Sequence, residues 1–216
     1  MLGLLEKDLR LTLTRKQTLV IFFVVALIMG ISMDGSFIVA YLTMLATILA
    51  VGTISYDEFD NGFAFLMTLP FSRKTYVREK YLFSLLLAGA AWCVGAILFC
   101  VVSGIRHDTA SLKEALPMLV AILPVMYLTA AVMIPLQLKY GTEKSRIVLL
   151  ILFGVIAIVL YGGNKILNGS NSFAALAETL DGAKPAVVLL ALAAGCAVIT
   201  CVSYLWSVHI MEKKEF

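Results

Sequence analysis

Six stretches of the chain carry no Asp, Glu, Lys or Arg: residues 17–33, 35–56, 81–105, 115–138, 147–164 and 185–211. Each is about 17 to 27 residues long, and a helix needs about 20 to cross the hydrocarbon core of a bilayer. The runs are apolar on all sides, too long for strands, and lack the alternation of a membrane barrel. Helix is therefore the form that satisfies their backbone in lipid. The balance of 61% hydrophobic to 14% charged residues agrees, since soluble domains carry about 25% charged residues. A 216-residue soluble core could not hide this much apolar side chain. The expectation is an all-α integral membrane protein, one transmembrane domain over residues 1–216. Its six spans fall at about 17–33, 36–56, 81–105, 116–138, 147–163 and 186–209. The first run follows a mixed-charge segment and is paired almost at once with a second, which reads as a retained span rather than a cleaved leader.

Basic residues give the orientation. Counting segments from the N-terminus, the odd side holds Lys7, Arg10, Arg15, Lys16, Arg73, Lys74, Arg78, Lys80, Lys139, Lys144, Arg146, Lys213 and Lys214. The even side holds Arg106, Lys113, Lys165 and Lys184. By the positive-inside rule both termini are expected in the cytoplasm. This asymmetry also accounts for the net charge of +3, so no nucleic-acid partner is called for.

The spans exclude several chemistries. Ion-coupled carriers mark their pathways with buried ionisable residues, and no acidic or basic residue falls within these six runs. Intramembrane hydrolases need a nucleophile with a base, or metal ligands; neither set assembles here. The stretch Gly141-Thr142-Glu143-Lys144-Ser145 lacks the first glycine of a phosphate loop. Cys93 and Cys100, and Cys196 and Cys201, match no metal spacing and read as small packing residues. His107 and His209 stand apart from one another. The chain is expected to be no enzyme and to bind no cofactor; any energy for transport comes from another subunit.

Outside the spans, residues 1–16 read as an amphipathic interfacial helix. Leu2, Leu5, Leu9 and Leu13 form one stripe, and Glu6 pairs with Arg10 at i, i+4. Residues 57–80 are the richest segment. It opens acidic with Asp57, Glu58 and Asp60 and closes basic with Arg73, Lys74, Arg78 and Lys80. Between them, Phe59, Phe63 and Leu66 are spaced i, i+4, i+7, with Phe65, Met67 and Leu69 beside them. Gly62 permits a break, Pro70 forces one, and Ser72 is a good N-cap for the helix that follows. The segment therefore presents a short amphipathic helix, which suits a groove in a partner or a lipid surface. Ala46 and Ala50, Ala91 and Gly95, and Ala191 and Gly195 have the spacing of close helix contacts. Pro124 and Pro135 are expected to distort the fourth span. The segment between spans five and six has room for a short helix capped by Ser172, with Phe173, Leu176 and Leu180 on one face.

The string TLPFSRKTYVREKYL, residues 68–82, follows that acidic aromatic stretch. It resembles the signature LP-x-SRK-x-Y-V-x-x-K-Y of small bacterial ABC-2 type permeases, and the length and span pattern are similar too. The likeness extends to permease subunits of phenol-soluble modulin and antimicrobial peptide exporters. The resemblance implies a type V exporter-like fold in the bacterial cell membrane. It implies a dimer, homomeric or with a close relative, driven by separate cytoplasmic ATPase subunits that bind ATP and Mg. It makes the segment from Asp57 to Pro70 the coupling helix in a cleft of the ATPase. Phe59, Phe63, Leu66 and Leu69 would then be its apolar contacts; Asp57, Glu58 and Asp60 would meet basic residues there. Arg73 and Lys74, the motif's basic pair, would serve the ATPase or lipid headgroups. The inner turn from Lys139 to Arg146 would be a secondary contact. The implied activity is export of an apolar or amphipathic cargo, with antimicrobial or toxin-like peptides foremost. A membrane scaffold or sensor that docks a partner without transport, and a stand-alone secondary carrier, stay open on the residues alone.

Overall fold

The computed structural model describes residues 1–32, 35–59, 62–105, 109–166 and 185–214, and among them every regular element is a helix. In chain order these are α1 (Leu2–Thr14), α2 (Lys16–Ser32), α3 (Ser36–Glu58), α4 (Gly62–Met67), α5 (Arg73–Ile105), α6 (Thr109–Ile166) and α7 (Pro185–Lys213). The bundle is built on α3, α5, α6 and α7, with α2 packed on α3. Among the described residues, four stretches are long and apolar enough to cross a membrane: Ser36–Glu58, Arg73–Ile105, Ala115–Gly141 and Val187–Lys213. They correspond to the second, third, fourth and sixth uncharged runs. The first run lies in α2, which has 17 residues and reaches that length only together with α1, from which it is bent by 68°. The fifth run continues α6 past its break.

The outer surfaces of these helices are apolar. On α7, Val187, Leu190, Val198, Val202 and Leu205 are each more than half exposed. A water-soluble protein would not leave such a contiguous surface uncovered, whereas lipid covers it without penalty. Inside, the chain buries small residues where helices cross. A Cβ on Gly95 would stand 2.9 Å from the Val39 Cα, so the expected small residue on α5 is where that helix meets α3. Thr43 and Thr47, buried beside Ala46 and Ala50, return their hydroxyls to the carbonyls of Val39 and Thr43. Gly195 on α7, by contrast, faces open space.

Two expectations about α6 are corrected. Pro117, Pro124 and Pro135 all lie inside it, yet the one described non-helical residue is Gly141, at φ 74 and ψ 175. A proline removes one helical donor, and at Pro135 the loss is made good from the neighbour. The freed carbonyl of Ala131, four residues back, accepts from the Ser203 hydroxyl on α7. Such rescue is what lets membrane helices carry proline. The inner turn expected from Lys139 to Arg146 is likewise no loop but a one-residue break between helical limbs. Only glycine adopts that φ freely, and a Cβ there would sit 2.5 Å from the Glu58 carboxylate. The short helix expected behind Ser172 lies outside the described residues.

At 33 residues α5 is about 50 Å long, well beyond the ~30 Å core. Its first turns, from Arg73 to Tyr81, therefore extend past the apolar part of the bundle. Ser72 caps the helix: its hydroxyl accepts from the Thr75 N–H at 3.2 Å.

Candidate functional site

The ends of α1, α3, α5 and α7, the break in α6 and the whole of α4 meet at one end of the bundle. This junction is held by buried charge. The inward face of α1 is Leu4, Asp8 and Thr12, all buried, while Leu2, Leu9 and Leu13 point away from the protein. Asp8 pairs with the Lys80 ammonium on α5, and the Thr53 hydroxyl on α3 lies 3.0 Å from both groups. Lys80 also reaches Asp57 at 2.7 Å. Asp57 is paired in turn with Lys7 and accepts from the Tyr76 hydroxyl at 2.9 Å. Lys7 closes the ring on Asp8 at 3.1 Å. Glu79 lies in the same cluster, 4.0 Å from Lys80, fully buried and with neither carboxylate oxygen hydrogen-bonded.

The sequence explains the arrangement locally. Thr53 and Asp57 are i, i+4 on α3, Tyr76 and Lys80 are i, i+4 on α5, and Asp8 lies midway between Leu4 and Thr12 on α1. Each helix thus presents one short polar stripe, and the three stripes face each other. The basic-residue pattern assigns Lys7 and Lys80 to topology and to the basic flank of the 57–80 segment, and it does not reveal that they pair with Asp8 and Asp57. The local signal for it is an acidic residue on the Leu4–Asp8–Thr12 stripe of α1, away from the exposed Leu2, Leu9 and Leu13.

Several expected coupling contacts need correction. Phe63 and Leu66 do not form a free face: both are buried in the chain's own core with Leu4, Ile54, Tyr76, Leu138 and Met211. The Phe63 ring meets Tyr76 edge-on at 5.8 Å and lies 4.6 Å under the Lys214 ammonium. Asp57 is committed to Lys7, Lys80 and Tyr76 rather than offered outward. Arg73 donates to the Met211 and Glu212 carbonyls at 3.0 and 2.7 Å, holding the end of α7. Lys74 pairs with Glu212 at 3.3 Å on the surface. Glu58 is half-buried against Gly141. What remains exposed is Phe59 at 73%, Phe65 at 70%, and Leu69 with Pro70 after them. Asp60 lies outside the described residues.

The end of the chain completes the junction. The Lys214 ammonium donates to the Leu138 carbonyl at 3.1 Å. Burial lowers its pKa from the ordinary lysine value, and the nearby Glu58 carboxylate partly offsets that. Tyr81, the last residue of the sequence motif, bonds Ser203 and Ser207 on α7 at 2.6 and 2.9 Å. The motif positions Arg73, Tyr76, Lys80 and Tyr81 therefore tie α5 to α1, α3 and α7 at once.

No cluster of metal-ligating side chains occurs among the described residues. The arrangement defines a multi-pass helical membrane protein whose polar end joins its helices and carries a short amphipathic helix on the outside. Over residues 3–212 the sequence matches the family model described as ABC-2 family transporter protein, and the chain belongs to that family. It is thus an ABC-2 type permease, the membrane subunit of an ABC transporter that works with an ABC ATPase subunit. No curated protein and no solved structure matches it.

Proposed function

We propose that this permease exports an apolar or amphipathic cargo, a peptide foremost, and that the ATPase docks on the segment from Asp57 to Lys74. One observation carries the docking surface. On and beside a six-residue helix, Phe59 and Phe65 leave about 70% of their surface open while Phe63 and Leu66 anchor the same segment inside. Exposed aromatic side chains on a fixed support are the anchors partners use. Leu69 and Pro70 extend the patch, and Arg73 and Lys74 fix the end of α7 behind it. A push on α4 thereby reaches α1, α3, α5 and α7 through the junction.

In this reading the junction faces the cytoplasm, both termini lie inside, and the fifth and first uncharged runs complete six spans in the cell membrane of a bacterium. Two six-span subunits, identical or closely related, form the conduit. ATP and Mg are bound and used by the ATPase alone. Among the described residues the middle of the bundle holds no charge, so it suits an apolar or amphipathic cargo better than a charged one. The test is to purify the tagged permease from its native membrane and assay what stays with it. An ATP-hydrolysing subunit whose turnover rises on adding amphipathic peptide is the expected result. A bound ATPase indifferent to every cargo offered would point to the scaffold reading, and transport without ATP to a secondary carrier.

A further inference from the structure

Two cavities lie end to end along the seam between α6 and α7. The first, about 370 Å³, is apolar and walled by Val132, Pro135, Val198 and Val202. Its single hydroxyl, Ser203, is already spent on the Ala131 carbonyl and on Tyr81. The second, about 380 Å³, lies toward the junction and is lined by Lys139, His209, Lys213 and Lys214, with no carboxylate in its wall. Trp206 belongs to both walls. The seam opens sideways, away from the bundle core: Val198 and Val202 are about 60% exposed and Trp206 about half.

Val198, Val202, Trp206, His209 and Lys213 fall on one stripe of α7, at steps of three and four residues. From Val198 to Lys213 the stripe rises about 22 Å. That is about half the ~40–45 Å of a bilayer with its headgroups, the depth of one leaflet. Chemistry changes along it in the order a lipid requires, from aliphatic through an indole to ammonium groups. Tryptophan is the residue that favours the boundary between chains and headgroups. Lys214 is engaged by the Leu138 carbonyl, the Phe63 ring and Glu58, so the charges the open pocket offers are those of Lys213 and of Lys139, which lies 4.9 Å over the Tyr140 ring, with His209 between.

We propose that this seam binds one anionic phospholipid of the leaflet on the junction side. An acyl chain lies in the groove between Pro135 and Val202, and the headgroup phosphate is held by Lys139 and Lys213. The charge in the pocket selects net-negative headgroups over zwitterionic ones, and the groove selects a lipid over a soluble anion. A lipid here would brace the edge of α7 on which no described helix packs.

Trp206 supplies the readout. The chain has two tryptophans, so Trp92→Phe leaves Trp206 as the only one. The variant, reconstituted without any ATPase into phosphatidylcholine vesicles, is titrated with acyl-brominated phosphatidylglycerol or acyl-brominated phosphatidylcholine. Bromine quenches indole fluorescence on contact. Phosphatidylglycerol is expected to half-quench Trp206 at a roughly tenfold lower mole fraction, the effect of one to two lysine contacts. Adding Lys139→Gln and Lys213→Gln should erase that difference while leaving quenching by phosphatidylcholine and the melting temperature unchanged. Equal quenching by the two lipids in the parent, or a preference that survives both substitutions, overturns the proposal. So does relief of quenching by an amphipathic peptide but not by unlabelled phosphatidylglycerol, which would make the seam a cargo site.

Discussion

With one ammonium group Lys80 reaches Asp8 on α1 and Asp57 on α3, its side chain almost fully buried. A buried ion pair adds little net stability against an apolar pair of the same shape, yet removing one partner strands the other's charge. Lys80→Met leaves three buried carboxylates, those of Asp8, Asp57 and Glu79, with Lys7 as the remaining cation of the cluster, and it should destabilise the protein by about 3–5 kcal/mol. Lys74→Gln, which breaks only the exposed pair with Glu212, should cost less than about 1 kcal/mol. Thermal melts of the two purified variants check this: a large drop for the first and almost none for the second. Phe63→Asp belongs with Lys80→Met. It puts a carboxylate into the cluster around Tyr76 and Met211 and should unfold the junction. A stable, normally melting Phe63→Asp protein would show that the side chain is not part of the core.

Among the elements, α4 and the break in α6 carry opposite constraints. The stripe Phe59, Phe63, Leu66 was visible in the sequence as a spacing, but its destination was not. Phe59 is the extended residue that ends α3, before α4 begins at Gly62, and so leaves the phase of that helix, while Phe65 is exposed on α4. Spacing shows that an apolar face exists; which core or partner covers it depends on residues far away in the chain. The same distance hid the ion network, whose pairs Lys7–Asp57 and Asp8–Lys80 join residues 50 and 72 apart. The caps and breaks were legible because they are local: Ser72 binds its own helix, and Glu6 pairs with Arg10 at 2.6 Å. The Gly141 break was expected as a loop because charges cluster there, whereas one residue at positive φ makes the turn. Gly141→Ala should therefore cost roughly 1–3 kcal/mol through strain, with displacement of Glu58 added. A melting temperature equal to wild type would contradict that geometry.

For the molecule as a whole, four of the six uncharged runs coincide with helices long and apolar enough to cross a bilayer, and the motif points to the family that the whole-chain match shows. Neither gives the orientation by itself. Single cysteines placed at Lys74 and at Lys144, on a background without Cys93, Cys100, Cys196 and Cys201, should resist a membrane-impermeant thiol reagent added to intact cells. They should react once the cells are opened. Labelling from outside at either position would invert the topology. The described long-range bonds of Arg73, Tyr76 and Lys80 lie at the junction and join α5 to α1, α3 and α7.

The central claim is that the motor presses on the outward side chains of the α4 segment, and one comparison tests it. Phe59→Asp with Phe65→Asp alters two exposed residues that the bundle does not use, so the melting temperature should stay at the wild-type value. Each phenylalanine buried under a partner is worth about 1.5–3 kcal/mol, so losing both should weaken ATPase binding by on the order of a hundredfold or more. The measurement is the amount of ATPase retained by equal quantities of wild-type and doubly substituted permease. Loss of the ATPase from a normally folded double variant is the expected result. A double variant that keeps its ATPase and exports at the wild-type rate would contradict the claim.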